Sequence, residues 1–377
     1  MSSYFDYFCV NIYTNCAARN DIIHGTCNSM CPQSEQNLRE KEGLVHILEV
    51  LGSERKLVKC YSRSAADSNM AVPNLLRPYN VLRDTVDYLL LDVTRRVDVP
   101  ISSVYDFVND RLRAVRQDMT IQRLPPEQCV NLLEPMIRFY VYFGYKLCEH
   151  PLSDYDPVLN KKYLLECIKW FLSCYESVQL WENNAKINEI SSFLSNLEIN
   201  NRYMKKLTCD RELMESLYIL CNLGDVHPLY RYFNLPKDIK SNSTVQLSYK
   251  IAIAHLKGNY ARVCSMLDAL CPLTYFAVSV YLPTIQRNAL RVMSHAYNSR
   301  QLAVPTAVLR QWLWFPSDAD VITVCEHYGL QAEGATVRFS KADFKTEVAT
   351  HEPKKLLLHE ETLKMDLENI FTYKIQK

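Results

Sequence analysis

Apolar residues recur every three to four positions along most of this chain, the spacing of helices that bury one face. Val81, Leu82, Val86, Leu89, Leu90 and Val93 mark an amphipathic helix ending before Pro100. Val104, Phe107, Val108, Leu112, Val115 and Met119 mark another over 102–122, broken by Pro125-Pro126. Leu38, Leu44, Val45, Leu48 and Leu51 place an earlier helix over 32–51, followed by a long connector over 52–76. Two apolar-aromatic segments lie near 127–149 and 158–182. Helices then follow near 186–200, 208–223, 226–234, 244–257, 259–270 and 273–298. Gly224-Asp225, Pro236 and Gly258-Asn259 supply the breaks. Helix pairs with short turns and no strict repeat period predict a mainly α fold, a stacked helical-hairpin solenoid over residues 25–300.

The character changes after residue 300. Val304 to Trp314 reads as a short helix, and Ser317 and Asp318 are placed to cap the next, Ala319 to Tyr328. Gly329 ends it, and Thr336-Val337-Arg338-Phe339 alternates like a strand. Two short helices followed by strand material is the order of a winged helix, assigned to 301–346. Residues 347–377 read as a charged tail with a helix around 359–371. Residues 1–24 read as an extension of poor pattern.

Composition narrows the class. Only 8 glycines occur among 377 residues, too few for a turn-rich β fold. Net charge is +1, so no global field draws the chain to nucleic acid or anionic lipid. The 14 cysteines include Cys148, Cys167, Cys174, Cys221, Cys264 and Cys325 at apolar helix positions, and form no stapled framework. The N-terminus lacks a basic start and an apolar core, so it reads as no signal peptide. No apolar run of about 18 residues occurs, so no membrane span is expected. These features predict a reduced intracellular protein with mostly buried thiols.

Candidate chemistry is sparse. Cys27 and Cys31, with His24, Cys9 and Cys16 nearby, have no second ligand pair downstream, so the thiols are expected to pack under a helix start rather than hold a metal. No nucleophile elbow, phosphate loop or His-Glu-x-x-His motif appears, so no catalytic residue, cofactor or small-molecule substrate is assigned. Arg111, Arg113, Arg116 and Arg123, interrupted by Asp110 and Asp118, read as a solvated basic helix face, with a binding strip as the alternative. Arg310, Arg338, Lys341 and Lys345, with Lys354 and Lys355, are the cations for nucleic-acid or partner contact near the winged helix. Asp318, Asp320 and Glu326 on its second helix would repel phosphates, so protein contact is expected first and RNA contact weakly.

Two N-terminal blocks carry the most information. The first is Gly25-Thr26-Cys27-Asn28-Ser29-Met30-Cys31-Pro32, followed by Glu35 and Arg39. Gly25 tolerates unusual backbone angles, Pro32 suits a helix start, and Glu35 suits the positive end of its dipole. The second is Val58-Lys59-Cys60-Tyr61-Ser62-Arg63-Ser64-Ala65-Ala66, then Leu76-Arg77-Pro78. Lys59, Tyr61 and Arg63 read either as a contact surface or as a tether for the long connector. Ser64-Ala65-Ala66 would allow close packing, and a connector of this length needs such anchors.

In order and spacing the two blocks resemble those of the Sac-three/GANP family, and Tyr218-Ile219-Leu220-Cys221-Asn222-Leu223-Gly224 resembles its mid-chain segment. The resemblance implies a helical-repeat region ending in a winged helix, related to PCI modules. It also implies a non-enzymatic scaffold whose partners are a PCI-domain protein and a small acidic subunit. Lys205-Lys206 with Arg211, or Arg287 with Arg291, would supply a groove for the latter. The chain has no Phe-Gly-rich region and looks most like the family's short type, associated with centrosome duplication, spindle assembly and mitosis. The expected places are cytoplasm, centrosome, spindle and nucleus. The alternative implied role is an adaptor in nuclear messenger RNA export or processing.

Overall fold

The computed structural model describes residues 23–63, 71–193 (side chains to 179), 209–355 and 367–372. The chain divides into two compact units. The first holds Met1–Tyr140, Val158–Asp210 and Asp366–Lys377; the second holds Val141–Pro157 and Arg211–Met365.

The first unit contains α1 (Gln33–Lys41), a hairpin of β1 (Val50–Leu51) and β2 (Glu54–Arg55), α2 (Tyr79–Leu91) and α3 (Ile101–Ile121). It also holds most of α4 (Pro126–Lys146) and α5 (Pro157–Phe193). The expected helix over 32–51 is instead α1, a 3-10 turn at Ile47–Glu49 and the hairpin. Gly43, at φ +67°, turns the chain out of the helix, and Leu38 and Leu44 are left exposed. The expected break between 182 and 186 does not occur, because α5 runs on without a proline or glycine to stop it. Val104, Val108, Leu112 and Val115 of α3 are buried, as their spacing predicts.

The second unit is a run of short helices after the end of α4: α6 (Arg211–Leu220), α7 (His227–Asn234), α8 (Lys237–Ser241), α9 (Ser243–Leu256), α10 (Tyr260–Cys264), α11 (Pro272–Ser279) and α12 (Leu282–Ala296). α9 packs on α6 and α10, and α11 packs on α6. The stretch read as one helix over 273–298 is two. Pro283, in the first turn of α12, would clash with the carbonyl of Ser279 if the helix were continuous, so the chain restarts at Tyr281.

Beyond α12 the unit continues as β3 (Ala303–Pro305), α13 (Thr306–Leu313), α14 (Asp318–His327), β4 (Gln331–Glu333) and β5 (Thr336–Arg338). The strands form an antiparallel sheet in the order β3-β5-β4, with Val304 opposite Val337 and Ala332 opposite Val337 on its other side. Ser317 accepts the Asp320 N–H at 3.2 Å and caps α14. Leu309, Val321, Cys325, Tyr328, Val337 and Phe339 form its core with Leu290 of α12. In the first unit, α15 (Leu367–Phe371) seats Ile370 and Phe371 in the core. The rest of the expected tail helix lies outside the described residues, as do residues 1–22.

Candidate interaction site

The two motif blocks meet inside the first unit, and the charged groups of Arg39, Lys59 and Arg77 point inward. Asp118 of α3 is fully buried. Its Oδ1 accepts from Lys59 Nζ at 2.6 Å, and its Oδ2 accepts from Arg77 Nε at 2.7 Å and from the Arg77 N–H at 3.3 Å. Lys59 Nζ also donates to the Leu75 carbonyl at 2.6 Å. Arg77 Nη1 donates to the Met30 carbonyl at 3.3 Å, and Met30 accepts the Lys59 N–H at 3.0 Å. One carboxylate thus ties the second block to α3, and Arg77 and Lys59 carry the link on to Met30 of the first.

A second buried cluster lies beside it. Glu49 accepts from Arg39, from the Val58 N–H at 2.9 Å and from Arg111 at 3.5 Å. Burial would raise the Glu49 carboxyl, but the Arg39 and Val58 hydrogen bonds and the Arg111 charge hold it below its ordinary value. Glu35 accepts the Cys60 N–H at 2.8 Å, and Asp110 accepts the Tyr61 N–H at 3.1 Å. The connector read as needing tethers is therefore held at three successive residues, Lys59, Cys60 and Tyr61. Each has a backbone N–H that cannot be left unpaired where the chain is covered.

Gly25 has a steric role. A Cβ there would lie 2.4 Å from the Leu76 carbonyl oxygen and 2.7 Å from Gln122 Oε1. That oxygen accepts the Gly25 N–H at 2.8 Å, while Gln122 Nε2 donates to the Arg77 carbonyl at 2.8 Å. Cys27 and Cys31 are buried, and Pro32 stands just before the first turn of α1, with no side-chain cap. Burial and the nearby Glu35 charge push the Cys31 thiol far above its ordinary range. Among the described residues no group of three His, Cys, Asp or Glu is placed to hold a metal; Cys9 and Cys16 lie outside them. Pro78 precedes α2, Tyr61 is half-buried and Arg63 exposed, and Ser64, Ala65 and Ala66 lie outside the described residues.

The arginines of α3 do not form a solvated face or a binding strip. Arg111 is buried between Glu49 and Asp110. The Arg113 guanidinium stacks 3.8 Å from the Tyr61 ring centre, and Arg116 pairs with Glu166 at 3.2 Å with its side chain 11% exposed. Arg123 alone of the four is exposed, past the end of α3 at φ +50°. Asp110 apart, the carboxylates and rings that hold these arginines come from distant segments, which periodicity along one helix cannot reveal.

In the second unit the expected contact cations are mostly paired. Arg310 meets Asp318 at 3.3 Å and Arg338 meets Glu333 at 3.2 Å, both at the surface. Lys354 meets Asp320 at 2.5 Å and Lys355 meets Glu149 at 3.3 Å. Lys341 and Lys345 are exposed. Arg211 is buried beside Glu215, and Lys205 and Lys206 lie outside the described residues. Arg287 is engaged by the chain itself, donating to the Thr346 carbonyl and reaching the Thr350 hydroxyl at 3.4 Å; Arg291 is exposed. Tyr230 and Phe233, 68% and 60% exposed, stand out on α7. The sequence places only a helix over 226–234, and its spacing does not show which side is left uncovered.

These features describe a helix-rich protein that spends its motif residues on its own architecture. The chain belongs to the SAC3/GANP family, whose sequence pattern matches residues 30–334. It is 27% identical over 331 residues to Protein xmas of Drosophila melanogaster, covering 82% of this chain and 15% of that one. It is 26% identical over 335 residues to SAC3 family protein B of Arabidopsis thaliana, covering 82% and 18%. With SAC3 family protein 1 of Schizosaccharomyces pombe the figures are 25% over 333 residues, 81% and 30%. The matched region thus spans less than a third of each of these relatives. Among the described residues no helix is long and apolar enough to cross a membrane.

Proposed function

We propose that this chain is a non-enzymatic scaffold or adaptor of the SAC3/GANP family that acts in centrosome duplication, spindle assembly and mitotic progression. One observation supports the scaffold reading most. The ionisable side chains of the two blocks at Glu35, Arg39, Lys59 and Arg77 are bonded to backbone groups or to the buried acids Glu49 and Asp118, so none is spared for a substrate. The domain scheme of 25–300 for helical repeats and 301–346 for a winged helix goes with this reading. The 301–346 module docks on a PCI-domain subunit, and a small acidic subunit is the second partner. The mitotic assignment rests on the family resemblance, and it puts the protein in cytoplasm, at centrosome and spindle, and in the nucleus.

RNA contact ranks lower. Arg310, Arg338, Lys354 and Lys355 each face a carboxylate, which cancels the local field that would draw a phosphate backbone. Quantitative affinity purification from mitotic cells tests the assignment. Recovery of a PCI-domain subunit with spindle or γ-tubulin material supports it. Recovery of messenger-export factors in their place moves the role to nuclear RNA export or processing.

A further inference from the structure

Residues 345–355 carry no helix or strand, yet the polar contacts of 345–354 converge on α12 and α14, while Lys355 turns to Glu149. The Lys345 N–H donates to the Tyr328 carbonyl at 2.8 Å. His327 Nε2 meets the Ala349 carbonyl at 2.9 Å, and Lys354 meets Asp320 at 2.5 Å. The segment therefore runs antiparallel to α14, from its last residue back to its first turn. Arg287 of α12 holds Thr346 and Thr350 from the other side. Gly329 allows the segment to enter: at φ +82°, a Cβ there would lie 2.5 Å from the Asp343 carbonyl oxygen.

A polar knot sits midway. The His351 N–H donates to the Tyr328 hydroxyl at 3.1 Å, and that hydroxyl lies 2.9 Å from His351 Nδ1. The hydroxyl proton then goes to Nδ1, so Nε2 carries the ring proton and donates to Gln286 Oε1 at 2.9 Å. Gln286 Nε2 donates to the Leu313 carbonyl at 2.9 Å, which fixes the orientation of its amide. Apolar anchoring is thin by comparison. No side chain within 345–355 is fully buried, whereas α14 buries Val321, Val324 and Cys325. A segment held by part-exposed hydrogen bonds opens more cheaply than the core beneath it.

We infer that residues 345–355 form a displaceable strap, the chain's own occupant of a groove between α12 and α14 that is shaped for an extended segment. Lifting the strap frees the Arg287 guanidinium, the Gln286 amide and the Tyr328 hydroxyl beside Leu282, Pro283 and Phe315, which line a shallow pocket there. After the strap leaves, the groove takes an extended partner peptide that offers Arg287 a backbone carbonyl and Asp320 a lysine, as Thr346 and Lys354 do. The peptide-docking part rests on the scaffold reading; the separate opening of the strap does not.

Hydrogen exchange on the full chain, read by mass spectrometry, tests the opening. Amides of 345–352 are expected to exchange at least about 10-fold faster than those of 321–325, and His351→Ala to speed the strap roughly 10-fold more with α14 unchanged. Arg287→Gln, a milder change at the rim, should speed the strap about threefold. Strap and α14 exchanging at one rate, or a strap rate that neither variant moves, overturns the inference. The groove is tested with a labelled peptide of residues 343–355. Binding to the His351→Ala chain and not to the wild type supports it; equal binding to both, or none to the variant, overturns the groove while leaving the proposed mitotic role to the purification.

Discussion

Replacing Asp118 by Asn should cripple the first unit. The amide keeps the shape of the carboxylate but removes its charge. Lys59 and Arg77, 2% and 0% exposed, then lie buried beside a neutral group. Breaking a buried pair from one side costs about 3–5 kcal/mol, against about 5–15 kcal/mol for the stability of a whole domain. Here one carboxylate serves two cations at 2.6 and 2.7 Å, so the upper half of that range applies. An exposed pair such as Arg310–Asp318, half in solvent, sets the contrast at about 0–1 kcal/mol. The assay is urea unfolding followed through α3 amides, comparing Asp118→Asn, Lys59→Met and the double variant. The double variant should lose at least ~1 kcal/mol less than the sum of the singles, because Lys59→Met removes one of the stranded charges. An Asp118→Asn loss below about 1 kcal/mol, or strict additivity, would refute the reasoning.

Gly25→Ala drives a methyl into the Leu76 carbonyl and should cost at least ~2 kcal/mol in the same assay, whereas Gly43→Ala, with nothing within 4 Å, should cost only about 1 kcal/mol from its positive φ. Phe371→Ala empties a site that is 1% exposed and should destabilise the first unit by about 3–5 kcal/mol. Burial, with the His327 and Lys354 charges, pushes the His351 ring down to about 4, from about 6.5 in an unfolded chain. A depressed histidine contributes stability above about pH 6.5 that is lost as pH falls toward the folded value, so protease cleavage in 345–355 should accelerate from pH 6.5 to 5. His351→Gln should flatten that pH profile.

The order of the main helices was legible because burial follows local periodicity in α2, α3 and α9. The places where the reading fails are places where a single residue decides. Gly43 ends a helix that the apolar spacing would continue, and Pro283 splits a stretch whose apolar residues never pause. The missed hairpin at 50–55 is two residues a side, too short for alternation to register. In the motif blocks, residue types revealed a tether but not its partners. Asp118 and Glu49, which hold Lys59, Arg77 and Arg39, lie ten or more residues away in sequence and look like ordinary helix acids. Most of the strap over α14 falls in what reads as a charged tail, because its partners Asp320, Tyr328, Gln286 and Arg287 lie dozens of residues away and its segment has no periodicity.

The central claim is that the blocks build the protein and leave recognition to its outer surfaces. A folded variant with Lys59→Met, Arg77→Met and Asp118→Leu tests it directly, since apolar replacement of a whole buried ion cluster is often tolerated. Once its circular dichroism and cooperative unfolding match the wild type, its partners are compared by affinity purification from mitotic cells. The account predicts the same partner set in the same ratios. Loss of a partner by that folded variant would contradict it.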